Sequence, residues 1–306
     1  MRLLVTGISG FVGSNLENYL GEGVEINGVS RNKNQKNIGY DDITKEVLKA
    51  YSGIVHLAGK SHDLKKTSDE YEYFKVNTEL TIKLFDMFLD SNCDVFIFIS
   101  SVKAVADSVR GKLSENCQPD PKTAYGRSKL AAENYILSKN MKDKKVYILR
   151  PCMIHGPNNK GNLNVLYSFI SKRIPYFFGR YNNERSFLSI KNFCFVIHLL
   201  LMRKNSVPSG IYNIADDQPV SSMKLITIIG NSLGIRVRVW NLPKFIVRFF
   251  GIIGDFLPLP INSERIGKLT QNYVVSNEKI KIAIGINELP LSAEQGLKET
   301  VGSFNI

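Results

Sequence analysis

Nearly all-apolar runs punctuate the first half of the chain at Leu3–Thr6, Val24–Val29, Ile54–Leu57, Val95–Ile99 and Val146–Leu149. Runs this short, without polar alternation, suit strands of a parallel sheet covered on both faces. Longer stretches separate them, at Phe11–Leu20, Asp69–Leu89 and Thr123–Lys139. In the second, Phe74, Asn77, Leu80, Ile82, Leu84, Phe85, Phe88 and Leu89 recur at roughly the helical period. Strand and helix in alternation, with crossovers of this length, predict an α/β fold with a doubly wound parallel sheet.

After Arg150-Pro151 the texture changes. The segment His155–Asn164 is rich in Gly, Asn and Pro and reads as a loop. A helix at Val165–Ser171, a polar loop at Tyr181–Arg185 and an apolar helix at Phe193–Met202 follow, and Ile211–Ile214 reads as one more strand of the main sheet. From Asp216 onward a smaller, mixed lobe is expected. The run Leu242–Pro260, LPKFIVRFFGIIGDFLPLP, is apolar and aromatic beyond its surroundings. It fits a helix lining a pocket of the small lobe, or an interfacial helix on a membrane with Lys244 and Arg248 as headgroup contacts.

Composition narrows the class. Hydrophobic residues make up 43% and charged residues 22% of 306 residues, which sets disorder aside. A net charge of +12 suits phosphate-bearing ligands, an anionic membrane surface or a merely solvated basic face. No arginine-rich helix, zinc-finger spacing or aromatic-basic platform points to nucleic acid. Cys93, Cys117, Cys152 and Cys194 form no CxxC pair and read as reduced, mostly buried thiols. His56, His62, His155 and His198 lack metal-ligand spacing, so no metal site is expected. The opening MRLLVTG lacks the layout of a signal peptide, and no run reaches the ~18–20 apolar residues that span a bilayer. A soluble, cytoplasmic protein is expected.

The stretch Gly7-Ile8-Ser9-Gly10-Phe11-Val12-Gly13 follows the first strand and opens a helix. In that context Gly7 suits a tight turn, Gly10 the approach of a pyrophosphate, and Gly13 the packing of helix on strand. The helix N-terminus supplies amide donors to phosphates. The reading is a dinucleotide site, NAD or NADP. Where an acidic residue would select NAD, the second strand ends in Ser30-Arg31, a hydroxyl and a guanidinium suited to a 2′-phosphate, which favours NADP. Asp42 and Ile43 are placed beside the adenine, and Leu57, Ala58 and Gly59 beside the cofactor backbone. The dinucleotide-binding domain is therefore assigned to 1–155 with a return segment near 187–215, and the substrate-binding lobe to 156–186 and 216–306.

Tyr-x-x-x-Lys occurs three times, as Tyr71/Lys75, Tyr125/Lys129 and Tyr135/Lys139, so location must choose. Residues four apart share a helix face, and an ammonium beside a phenol favours its ionised form. Tyr125 follows the loop QPDPKTA and comes a short stretch after Ser100-Ser101 at a strand end, where ligands of doubly wound sheets bind. Tyr135 lies about 15 Å farther along the same helix, out of reach of the same atom. Tyr125 is thus the proton-exchanging group, Lys129 its tuner and ribose contact, and Ser101 the donor to the oxygen whose charge changes.

Gly7-x-x-Gly10-x-x-Gly13, Ser100-Ser101, Tyr125-x-x-x-Lys129 and Arg150-Pro151, in that order, resemble the extended short-chain dehydrogenase/reductases of the nucleotide-sugar epimerase/dehydratase group. The likeness covers nearly the whole chain. SSVKA, YGRSK, KGN (160–162) and NERS (183–186) look most like bacterial surface-polysaccharide enzymes. The resemblance implies that Asn77 supports the active site and that Ser100 lies near the cofactor. It also implies that Lys160, Asn162 and Leu163 meet the substrate and that Arg185 clamps its diphosphate. It further implies a homodimer, and a nucleotide-diphosphate sugar or a lipid-linked sugar as substrate. The activity implied is a 4-epimerase. The alternatives are an NADPH-dependent 4-ketoreductase and, from another class, a non-catalytic dinucleotide sensor. Val105, Ala106, Met153 and Lys191 depart from the group's usual residues, which argues against plain UDP-glucose and UDP-galactose as substrates.

Overall fold

The computed structural model describes residues 1–30, 37–61, 69–159, 161–256 and 262–305. Seven strands form the central sheet: β1 (Arg2–Thr6), β2 (Glu25–Val29), β3 (Asn37–Ile38), β4 (Gly53–His56), β5 (Val95–Ile99), β6 (Lys145–Pro151) and β7 (Gly210–Ile214). Their spatial order is β7-β6-β5-β4-β1-β2-β3, and every neighbouring pair is parallel. The five expected runs of the first half and Ile211–Ile214 all lie in this sheet, with ends displaced by one or two residues. β4 and β5 are buried throughout, as a sheet covered on both sides demands. The strand order reverses between β1 and β4. A crevice opens there, beyond the carboxyl ends, and it places Thr6, His56 and Ile99 at one edge.

Two apolar layers cover the sheet. On one side Leu3, Val5, Val55 and Ile97 meet Leu16 and the helix Ile190–Met202. On the other Leu4, Ile54, Phe96 and Ile148 meet Phe85, Phe88, Ala132 and Ile136. The alternate residues of each strand are thereby divided between two helical layers. The expected helix Asp69–Leu89 runs from Glu70 to Leu89 with one π turn at Lys75–Glu79. Such single wide turns re-aim side chains, and this one carries Asn77.

A third cluster, with Leu163, Tyr176, Phe187, Leu225, Ile229 and Leu297, forms the core of the smaller lobe. Its first helix starts at Asn162, three residues before the expected Val165, because Gly161 caps it and the Asn164 side chain accepts from the Gly161 amide. The loop expected at 155–164 begins with the end of a short strand, Met153–His155, which pairs with Phe187–Ser189. The polar segment at Tyr181–Arg185 likewise ends in a two-residue strand, Glu184–Arg185, paired with Val220–Ser221. All four cysteines are free. Among the described residues no cluster of His, Cys, Asp or Glu could hold a metal ion, and no helix is long and apolar enough to cross a membrane.

Candidate active site

The glycine turn closes over the end of β1. Gly7 adopts φ +70°, and a Cβ there would stand 2.9 Å from the Ala58 amide, so only glycine serves. Gly13 has no room either, since a Cβ would fall 2.5 Å from the carbonyl oxygens of both Gly7 and Ile8. Gly10 differs. Only the Gly7 carbonyl comes near, at 3.2 Å, and the helix Phe11–Leu20 that it caps has no side-chain cap. Its first amides, those of Phe11, Val12 and Gly13, are therefore left for a ligand. This open cradle at a helix N-terminus fits a dinucleotide pyrophosphate.

The flanking segments are held from beneath. Ala58 N–H donates to Thr6 Oγ1 (3.1 Å), and Thr6 in turn bonds His56 Nδ1. Burial lowers His56 to a pKa of about 3, so this ring is neutral and structural. Asn77 is fully buried; its Oδ1 accepts from Lys60 N–H (2.8 Å), and its Nδ2 donates to Lys60 O and Ser128 Oγ. One amide thus ties the Leu57–Ala58–Gly59 segment to the helix Ala124–Leu137. Ser30 follows β2, its N–H donating to Ile38 O. Arg31, expected to choose between the cofactors, lies outside the described residues. Asp42 accepts from Gly39 N–H (2.9 Å) and Ile43 is buried, so Asp42 acts first as a cap of its own turn.

The Tyr125 phenol and the Ser101 hydroxyl form a neighbouring pair, the serine drawing the phenol's pKa downward. Three local features create it. Thr123 caps the Tyr125 helix by accepting from Gly126 N–H. Gly126 lets that helix close on the loop after β5, since a Cβ there would lie 2.4 Å from Lys103 O. Ser101 opens a 3-10 turn in that loop, its Oγ accepting from Lys103 N–H. Burial raises the Tyr125 phenol above its ordinary range, and the neighbouring Ser101 hydroxyl opposes the rise.

Lys129 is not where the helix spacing put it. Its ammonium donates to Ile99 O at 2.8 Å, stands 4.9 Å over the Phe98 ring, and comes within 3.0 Å of a Cβ built on Gly59. It therefore faces the Gly59 side of the crevice. Burial lowers Lys129 to about 8, against the attraction of Glu133. Glu133, wholly buried, pairs with Arg150 through two guanidinium nitrogens and accepts from Ser100 Oγ. The Ser100 hydroxyl is therefore engaged in this network, leaving only its main chain for a cofactor. The sequence reading missed Glu133, although an acid at the next turn after Lys129, on the stripe holding Ala132 and Ile136, is a visible anomaly.

The expected substrate residues divide. Arg185 lies 5.6 Å from the Tyr273 ring, with its guanidinium donating to Gln271 O, and Tyr273 Oη donates to Ala106 O just after the Ser101 loop. Lys103 stands over the other part of the same ring at 4.6 Å, a second cation that the sequence reading missed. Leu163 is buried in the small-lobe core, so its side chain does not meet a substrate and only its main chain is left for that role. Asn162 begins the helix Asn162–Ser171, while Lys160 lies outside the described residues.

A dinucleotide cradle at the switch point of a doubly wound sheet, with a neighbouring tyrosine and serine beyond it, defines an oxidoreductase-type fold of the short-chain dehydrogenase kind. Residues 3–215 match the model of the NAD dependent epimerase/dehydratase family. The chain belongs to that family. It is 28% identical to a UDP-glucose 4-epimerase of Vibrio cholerae, over 99% of this chain and 95% of that protein. It is 25% identical, over 92% of this chain and 84% of the other, to an N-acetyl-alpha-D-glucosaminyl-diphospho-ditrans,octacis-undecaprenol 4-epimerase of Escherichia coli O157:H7. Its fold matches the crystal structure of a UDP-glucuronic acid 4-epimerase from Bacillus cereus in complex with NAD, at a TM-score of 0.77 and 19% identity, over 100% and 99% of the two chains.

Proposed function

We propose that the protein is an NAD(P)-dependent 4-epimerase of a diphosphate-linked sugar, of the UDP-hexose or N-acetylhexosamine type, serving surface-polysaccharide synthesis. The neighbouring placement of Tyr125 and Ser101 beyond the strand ends carries the reading, since two hydroxyls brought together can grip one sugar oxygen. Both relatives named above act at C4 of a diphosphate-linked sugar. Residues 1–155 with 187–215 serve as the cofactor half, and 156–186 with 216–306 as the substrate half. The protein works in the cytoplasm as a homodimer.

Gly7, Gly10 and Gly13 with the free amides of the helix hold the pyrophosphate, and Ser30 and Arg31 favour the 2′-phosphate of NADP. Held there by the glycine turn and Lys129, an oxidised nicotinamide would supply the reversible hydride exchange at C4 that epimerisation needs. Tyr125 removes the C4 hydroxyl proton in the first half and restores it in the second. Ser101 donates to that oxygen while its charge changes. Lys129 anchors the ribose from the Gly59 side, and Arg185, with Lys103 beyond Tyr273, receives the diphosphate. Because burial raises the phenol, the rate should climb with pH above neutrality as the phenolate forms.

The test is C4 scrambling of UDP-N-acetylglucosamine and UDP-glucose by purified protein without added cofactor. Stoichiometric consumption of NADPH with a 4-keto-6-deoxy nucleotide sugar, and no scrambling, would replace the epimerase with the ketoreductase. Unchanged turnover in Tyr125→Phe would move the chemistry away from this site, and absence of any turnover would favour a dinucleotide sensor.

A further inference from the structure

The run Leu242–Pro260 enters the structure as a helix, Lys244–Phe256. Only Val247, Gly251 and Gly254 are buried, so a single narrow stripe attaches it to the lobe. On the opposite side Phe245, Phe249, Ile252 and Phe256 recur at intervals of four, three and four and form one continuous outward stripe. Phe256 is 85% and Phe245 73% exposed. Large aromatic side chains left in water in this number mark a contact surface. Lys244 and Arg248 border the stripe.

The chain leading into this helix continues the pattern. Arg236, Arg238 and Trp240 are exposed while Ile235, Val237 and Val239 turn inward, as alternation along extended backbone requires. With Arg173 they line an open cleft of about 810 Å³. Between Asp217 and Asp255 the sequence holds five Lys or Arg and no Asp or Glu. Among the described residues none of Arg173, Arg236, Arg238, Lys244 and Arg248 has a carboxylate partner within ion-pair distance. An aromatic stripe edged by cations that have no carboxylate partner among the described residues, Lys244 resting over the Tyr181 ring, matches the negative surface and shallow apolar depth of an anionic bilayer. A second copy of the chain is a poorer occupant. A two-fold contact would set this predominantly basic surface, with Asp255 as the one acid of its helix, against itself and bring like charges together.

We infer that the helix Lys244–Phe256 docks the protein on an anionic membrane, with its aromatic stripe in the headgroup layer and Lys244 and Arg248 on the lipid phosphates. Arg173, Arg236 and Arg238 add to the attracting field. The inference goes beyond the sugar reading and does not depend on it, since vesicle binding and turnover are measured separately.

Trp240 is the only tryptophan of the chain, so its emission reports this surface directly. The protein is mixed at low salt with vesicles of equal parts phosphatidylglycerol and phosphatidylcholine, and with phosphatidylcholine alone. Sedimentation with the first and not the second, a blue-shifted emission, and quenching by brominated lipid are expected. The double variant Phe245→Ser/Phe249→Ser should weaken vesicle binding by about a hundredfold, since each ring loses a buried position worth roughly a factor of ten. Turnover on a soluble nucleotide sugar, and the far-ultraviolet circular dichroism, should be unchanged, which separates lost docking from lost folding. Arg236→Gln/Arg238→Gln should mainly weaken binding at low salt and flatten its fall as salt is added. No sedimentation of the wild type with anionic vesicles would overturn the inference. So would a concentration-dependent dimer that the phenylalanine variant dissolves while vesicles bind neither protein.

Discussion

Two Tyr-x-x-x-Lys pairs stand on one stretch of chain, ten residues apart, and they are opposite in physics. Tyr135 donates to both carboxylate oxygens of Asp86 at 2.8 Å, and Lys139 sits 4.4 Å over the Tyr135 ring. That is the phenol–ammonium contact the spacing suggests, and it lies at the protein surface. Its hydrogen bond to Tyr135 raises Lys139 above its ordinary range. At Tyr125 and Lys129 the same spacing yields no such contact. Burial governs both groups, raising the phenol and lowering the amine to about 8. Helix geometry fixes which side chains share a face, but desolvation decides what they are able to do. The pair proposed to react is the one that cannot relax into its own neighbour.

The strongest way to break this comparison is to remove each phenol in turn. Tyr125→Phe should lower kcat for C4 turnover by ~10²–10⁴-fold, the usual worth of a positioned acid–base group. Tyr135→Phe should stay within about twofold, because an exposed hydrogen bond to Asp86 is worth little. Steady-state kinetics on both variants, with circular dichroism to confirm the fold, checks the pair. Equal losses would mean that position along the helix carries no chemical meaning.

The next contrast concerns the acids behind each pair. Glu133→Gln leaves Arg150 as an uncompensated charge at 3% exposure and should cost about 3–5 kcal/mol. Asp86→Asn touches only a surface contact and should cost about 0–1 kcal/mol. Urea unfolding measures both. Similar small losses would show that Glu133 is not needed to hold Arg150, Ser100 and the end of β5 together.

What the sequence disclosed follows from the same distinction. The sheet was legible because strands buried on both faces carry no alternation, and the glycine turn because Gly7 and Gly13 have neighbours that exclude a Cβ. Tyr125 and Ser101 were legible because strand ends in this fold converge on one crevice. The direction of Lys129 was not legible, since spacing does not say which carbonyl an amine will find; here it is Ile99 O on the neighbouring strand end. The side-chain directions of Ser100 and Leu163 were hidden for a related reason. Their places near the site follow from family order along the chain, while their side chains turn into Glu133 and the small-lobe core. Gly126 and Thr123 escaped notice although each is a local signal, a glycine within a helix and a threonine before it. The Leu242–Pro260 run held both of its readings open because a helix pattern does not reveal which face the rest of the protein covers.

The smallest effect is also the most diagnostic of burial against neighbour. Lys129 titrates near 8 in the folded chain and near 10.5 when unfolded, so between those values the unfolded state holds a proton that the folded state lacks. Raising the pH across that window must then favour folding, by up to about 1.4 kcal/mol per pH unit. Lys139, raised above its ordinary value when folded, works the other way. Its contribution is intact below 10.5 and is lost only as the pH climbs through the folded value. Unfolding of cofactor-free protein in urea between pH 8 and 10 tests both signs, with Lys129→Met and Lys139→Met as references that cancel the other groups titrating there. The wild type should gain stability on Lys129→Met as the pH rises and should hold a constant difference from Lys139→Met. Parallel curves for the wild type and Lys129→Met would mean that the buried amine keeps its proton, and that attraction to Glu133 outweighs desolvation at the centre of the site.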